Sequence, residues 1–138
     1  MEESWMVMVA GPYRSGTGGD PAKMQRNLEV LGEAALEVWK RGHLPVIGEW
    51  VALPLARAAG SQRVGDAIWD TIGYPVADRL IDRCDAILRL PGASTGADGD
   101  VARAQQRGIP VLNAVDQLPV GEPKKGRPTP QWGSGLRN

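Results

Sequence analysis

Short apolar runs along this chain alternate with longer stretches in which apolar residues return every three or four positions. Trp5-Met-Val-Met-Val-Ala10 is a continuous apolar run that stops at Gly11-Pro12, the pattern of a buried first strand. Asp20-Pro21 then offers an N-cap followed by a proline at the first helical position. Leu28, Leu31, Ala35 and Val38 mark one face of an amphipathic helix, closed at Arg41-Gly42 by a left-handed cap. His43–Ile47 reads as a second strand, with Pro45 tolerated at a strand start or sheet edge. Between Gly48 and Gly73 the pattern predicts a helix over Trp50–Ala59, broken by Pro54 and ended by Gly60. A further helix is expected over Pro75–Cys84, then a third strand over Asp85–Leu90, a loop over Pro91–Gly99, a helix over Asp100–Gln106 closed by Gly108, and a fourth strand over Ile109–Leu112.

Strands alternating with helices imply βαβ units and a mostly parallel sheet. In such sheets ligands bind outside the carboxyl ends of the strands. Two loops that leave strand ends, Gly11–Gly19 and Pro91–Gly99, are rich in Gly, Ser and Thr. If their strands are neighbours, both loops meet in one cleft.

Composition narrows the function classes. The 138 residues fit one domain, and the apolar (42%) and charged (23%) fractions are those of an ordinary globular protein. Sixteen basic and sixteen acidic side chains cancel, which gives no support to a general nucleic-acid binder. Cys84 is the sole cysteine and His43 the sole histidine, so neither an intrachain disulfide nor a His-rich metal site is expected. The acidic start Met-Glu-Glu-Ser and the absence of a span-length apolar run point to a cytoplasmic protein without membrane association. From Pro119 onward Pro, Gly, Lys and Arg dominate, so the domain is expected over residues 1–118 and a flexible tail over 119–138. Trp132 is a residue through which that tail could dock.

The first loop, Ala10-Gly-Pro-Tyr-Arg-Ser-Gly-Thr-Gly-Gly19, admits two readings. Its backbone N–H groups, the helix start that follows and Arg14 could cradle a phosphate, or it is an ordinary glycine-rich βα turn with a solvated Arg14. It is not a P-loop, because Thr17 stands where that motif requires lysine. In the second loop, Asp98 or Asp100 either caps the following helix or presents a nucleophile or general base to the cleft. Asp78 and Asp82 lie on a helix, Asp82 on its solvated side, and His43 reads as structural.

On Val9-Ala-Gly-Pro-Tyr-Arg14, Arg41-Gly-His-Leu-Pro45, Cys84-Asp-Ala-Ile-Leu-Arg-Leu-Pro-Gly92, Gly96-Ala-Asp-Gly-Asp-Val101 and Gly108-Ile-Pro-Val111, the chain resembles the nucleoside 2-deoxyribosyltransferase-like superfamily, in particular its small bacterial members. The resemblance spans the chain to about Leu112. It implies a flavodoxin-like three-layer α/β fold with about five parallel strands, a homodimer or higher oligomer, no metal or organic cofactor, and cleavage or transfer at the N-glycosidic bond of a nucleoside or nucleotide. The family's nucleophilic Glu lies four residues beyond a Gly. Counting from Gly96 reaches Asp100, a shorter carboxylate. Ser94 stands six residues earlier, where related deoxynucleoside 5′-monophosphate hydrolases carry a Ser facing a phosphate, and Arg14 falls at their phosphate-binding Arg. Asp78 is the nearest match to an Asp that contacts the base, one residue short in its spacing to Asp85. The expected site is therefore Asp100 and Asp78 as catalytic residues, with Gly11, Tyr13, Arg14, Ser94 and Gly96 around the ligand. The alternative is a catalytically silent nucleotide-binding or sensing module.

Overall fold

The computed structural model describes residues 2–122. A four-stranded, wholly parallel sheet is formed by β2 (Met6–Ala10), β3 (Leu44–Val46), β4 (Ala86–Arg89) and β5 (Val111–Leu112), in the order β3-β2-β4-β5. A separate parallel pair joins β1 (Glu2–Glu3) to β6 (Gly121–Glu122). Four α-helices complete the fold: α1 (Pro21–Lys40), α2 (Gly48–Ala58), α3 (Ala67–Ile81) and α4 (Thr95–Gln106), with a short 3-10 turn at Val115–Gln117. The chain is thus α/β with the flavodoxin-like three-layer order, one strand fewer in its main sheet than the resemblance implied. No helix among the described residues is long and apolar enough to cross a membrane.

Alternation of side chains along β2 sorts the core into two layers. Val7 and Val9 face Leu31, Ala35 and Val38 of α1. Met8 and Ala10 face Ile81 of α3 with Ala97 and Ala104 of α4. The strand β4 does the same with Leu88 and Ile87, and all of these residues are buried. Right-handed crossovers require this division: β2 to β3 runs one way along the sheet, β3 to β4 and β4 to β5 the other.

Several boundaries differ from those the sequence suggests. The helix α2 starts two residues early and continues through Pro54. Its small residues Ala52 and Ala56 pack beside Trp69 of α3, and this tertiary contact outweighs the missing backbone donor. Helix α3 begins at Ala67 rather than Pro75, because the Asp66 side chain accepts from the Trp69 N–H at 2.8 Å and caps it there. Pro75 falls inside the helix. Asp82 is not a solvated carboxylate: it accepts two hydrogen bonds from the Arg103 guanidinium, at 3.0 and 2.8 Å, which tie α3 to α4.

The body also extends past residue 118. Buried His43 accepts the Trp5 N–H at Nδ1 (2.9 Å), so its Nε2–H is the donor to the Pro119 carbonyl. The Gly121 N–H donates to the Arg41 carbonyl, and β6 pairs with β1. Residues 119–122 therefore belong to the fold, while 123–138, with Trp132, lie outside the described residues. Gly42, with φ of 97°, makes the crossing possible, since a Cβ there would collide with the Gly121 carbonyl.

Candidate functional site

The sheet order makes β2 and β4 direct neighbours, with Ala10 opposite Arg89. Their loops consequently meet, at the point where the order of strands reverses, and a cleft of ≈ 420 Å³ opens there. That size is ordinary for a small-molecule site. Three helix starts converge on it. Glycines 18 and 19 before α1, Gly48 and Glu49 of α2, and Thr95 and Gly96 of α4 all line the cleft.

Of the residues expected from sequence, Gly11, Tyr13, Arg14, Ser94, Gly96 and Asp100 all line the cleft. Asp78 does not. It is exposed on α3, one position beyond the wall residue Ala77, and is felt in the cleft only through its charge on Asp100. Gly11 has a packing reason for its identity: a Cβ would stand 3.0 Å from Leu31 and 3.1 Å from Leu90.

The first loop is braced from within. Thr17 is buried, and its Oγ1 donates to the Arg14 carbonyl at 2.5 Å and accepts the Gly19 N–H at 3.3 Å. Asn27 of α1 donates to the Tyr13 carbonyl at 2.9 Å. The Arg14 guanidinium lies 3.6 Å from the Asp70 carboxylate, with both side chains about half exposed. Exposed ion pairs of this kind are worth little, so a bound anion can compete for the guanidinium.

The second loop is shorter than the sequence suggests, because α4 starts at Thr95 and not at Asp100. Neither Asp98 nor Asp100 is the cap. Ser94 is: its Oγ accepts the Ala97 N–H at 3.1 Å, and that capping bond tolerates Gly96 and Gly99 inside the helix. The Ser94 hydroxyl proton is left to donate elsewhere, and the Thr95 and Gly96 N–H groups have no partner within the helix. Arg89 holds the loop in shape. Its guanidinium donates to the Leu90 carbonyl, to the Gly92 carbonyl at 3.0 Å and to Asp98 Oδ1 at 3.0 Å.

Asp100 lies on the second turn of α4, facing the cleft. Burial first, then the charges of Glu49 and Asp78, push its carboxyl up to about 7, against an opposing pull from Arg89. Glu49 is raised as well, by its own burial. The Tyr13 hydroxyl is raised by burial and by Glu49. The apolar side of the cleft includes Trp69, whose ring centroid lies 6.3 Å from that of Tyr13.

Sequence reasoning missed Glu49, Trp69 and Arg89. Glu49 stands just past the second strand, at the carboxyl edge of the sheet, but nothing in the local sequence separates it from a glutamate on a solvated helix. Among the described residues no group of three or more His, Cys, Asp or Glu is placed to hold a metal ion. Cys84 is buried away from the cleft, and its thiol is pushed up to about 11, chiefly by burial. Comparison with family models, with curated proteins and with solved structures finds no match.

Proposed function

We propose that the protein is a nucleotide N-glycosidase-like enzyme that cleaves, or transfers at, the bond between base and sugar of a nucleoside 5′-monophosphate or nucleoside. One observation carries the reading. A desolvated carboxylate, Asp100, faces the same cleft as the Ser94-capped N-terminus of its own helix. Helix N-termini favour anions, so a 5′-phosphate belongs at Ser94, Thr95 and Gly96, with Arg14 turning to it from Asp70. The sugar then lies along the first turns of α4, with its anomeric carbon towards Asp100. The base stacks on the Tyr13 and Trp69 side of the cleft. Asp100 attacks C1′ or directs water to it as the base departs.

The resemblance to the nucleoside 2-deoxyribosyltransferase-like superfamily supports the same reaction class. Asp78, outside the wall, is given no contact with the base. The homo-oligomer that the resemblance implies has candidate surface in the exposed side chains of Trp50, Leu55 and Tyr74 on α2 and α3. A second reading, a nucleotide-binding or sensing module without turnover, is favoured by Arg14 already facing Asp70 and by the short carboxylate at position 100.

The test is to incubate the protein with a panel of nucleosides and their 5′-monophosphates and to resolve free base by chromatography. Base released from monophosphates and abolished in Asp100→Ala is the expected result. Binding without release, in both wild type and Asp100→Asn, would favour the sensing module.

A further inference from the structure

Glu49 stands on the first turn of α2, at the carboxyl end of β3, and Asp100 stands on α4, beyond the carboxyl end of β4. The strand β2 runs between β3 and β4, so the strands that lead to the two residues are set two strand spacings apart, about 10 Å. Both residues line the one cleft, where the Glu49 charge raises Asp100 more than any other charge does. Two carboxyl groups thus line one cleft, one reached from each strand that flanks β2.

Resting on the N-glycosidase reading, we propose that Glu49 is the acid partner of Asp100, delivering a proton to the departing base. In the first step an Asp100 carboxylate oxygen bonds to C1′ and the C1′–N bond breaks. Its electron pair stays on the base nitrogen, and the Glu49 proton neutralises the base. In the second step the Glu49 carboxylate takes a proton from water, the water oxygen bonds to C1′, and the C1′–Asp100 bond breaks. Nucleotide and water become sugar phosphate and free base, with both carboxyl groups restored.

The other polar groups of the cleft are poorly suited to the acid role. Arg14 does not give up a proton near neutral pH. Thr17 donates within its own loop, and Ser94 sits at the phosphate end. The Tyr13 hydroxyl is a weaker acid made weaker by burial and by Glu49 itself. Two carboxyl groups that share a desolvated cleft do not lose their protons together, because the second ionisation works against the first. The other charged or titratable groups that line the cleft are Tyr13 and Arg14, while Asp78 and Arg89 act on Asp100 through their charge. Arg89 draws Asp100 back towards its charged form, against burial and the charges of Glu49 and Asp78.

The experiment compares Glu49→Gln with wild type on a purine nucleoside 5′-monophosphate and on its N7-methyl derivative, whose cationic base leaves without protonation. The variant is expected to lose roughly 100-fold or more in kcat on the parent nucleotide and less than about threefold on the methylated one. Glu49→Asp, which keeps an acid, should recover part of the loss. Equal losses on both substrates, or none on either, would overturn the proposal while leaving the N-glycosidase reading intact. If wild type acts only on pyrimidine nucleotides, the pH profile decides. Disappearance of the falling alkaline limb of kcat in Glu49→Gln supports the acid role, and its persistence removes it. Wild type releasing no base from any nucleotide sinks the underlying reading and this one together.

Discussion

The two edges of the sheet treat buried polarity in opposite ways. At the amino edge His43 is buried with both ring nitrogens matched to backbone partners, Asp85 accepts the Met6 N–H at 2.8 Å, and Arg41 donates to the Leu118 carbonyl at 2.7 Å. At the carboxyl edge Glu49 and Asp100 sit in a cleft with their carboxyls raised and, among the described residues, no side-chain hydrogen bond relieving Asp100. A matched buried group stabilises the fold. One left unmatched costs stability and is retained where a ligand or a reaction supplies the missing partner.

The largest effect expected from breaking this contrast is at Asp100. Asp100→Asn should lower turnover roughly a thousandfold or more, and it should also stabilise the protein at alkaline pH. Burial pushes the folded carboxyl up to about 7, against 3.8 for an ordinary Asp. Between those values the folded state holds a proton that the unfolded chain has released, so wild-type stability falls as pH rises from about 4 to 7. Asn removes that slope, a gain on the order of 2–4 kcal/mol at pH 8, read as a rise in urea midpoint that vanishes at pH 4. His43→Ala tests the other edge. It strands the Trp5 N–H and the Pro119 carbonyl and should cost about 2–4 kcal/mol, with nucleotide affinity by calorimetry unchanged.

Ser94→Ala is smaller. Loss of the cap should cost about 1 kcal/mol of stability, and loss of the hydroxyl should reduce the preference for monophosphate over nucleoside by about tenfold. The mildest effect is at Asp66, a carboxylate matched on every side: it accepts from Ser61, Gln62, Arg63 and Trp69 and is held at about 2, chiefly by the Trp69 N–H. Its stabilisation is present above pH 4 and disappears as pH falls towards 2. Asp66→Asn should therefore lower the neutral plateau by a small amount while leaving stability below about pH 2 unchanged, which flattens the acid limb.

The layers of the fold were legible because apolar period and glycine punctuation agree over β2, α1, β4 and β5. What was not legible turns on tertiary packing and on capping by side chains. Pro54 reads locally as a breaker and Pro75 as a helix start, yet both lie inside helices, and α2 and α3 pack together at Ala52, Ala56 and Trp69. Gly96 and Gly99 read as loop until Ser94 is seen to cap a helix ahead of them. Asp100, Ser94, Tyr13 and Arg14 could be placed at the site because they lie in loops that leave neighbouring strands, or just beyond them. Glu49 could not, since nothing local distinguishes a glutamate entering a desolvated cleft from one on a solvated helix. Asp78 shows the reverse failure: spacing alone drew it towards a site whose wall it does not reach.

The pairing of Glu2 with Gly121 and of Glu3 with Glu122 joins points 119 residues apart in sequence. A contact of such separation rewards the chain only after nearly everything between is in place, so it should close in the final phase of folding. It should also part at lower free energy than the core strands. Native-state amide exchange should then report the Trp5 and Gly121 amides opening as one unit, ahead of Val7 and Val9 on the same sheet. The His43 clasp would be the boundary of that unit, a seam along which the chain loosens at one edge while the cleft at the other keeps its shape.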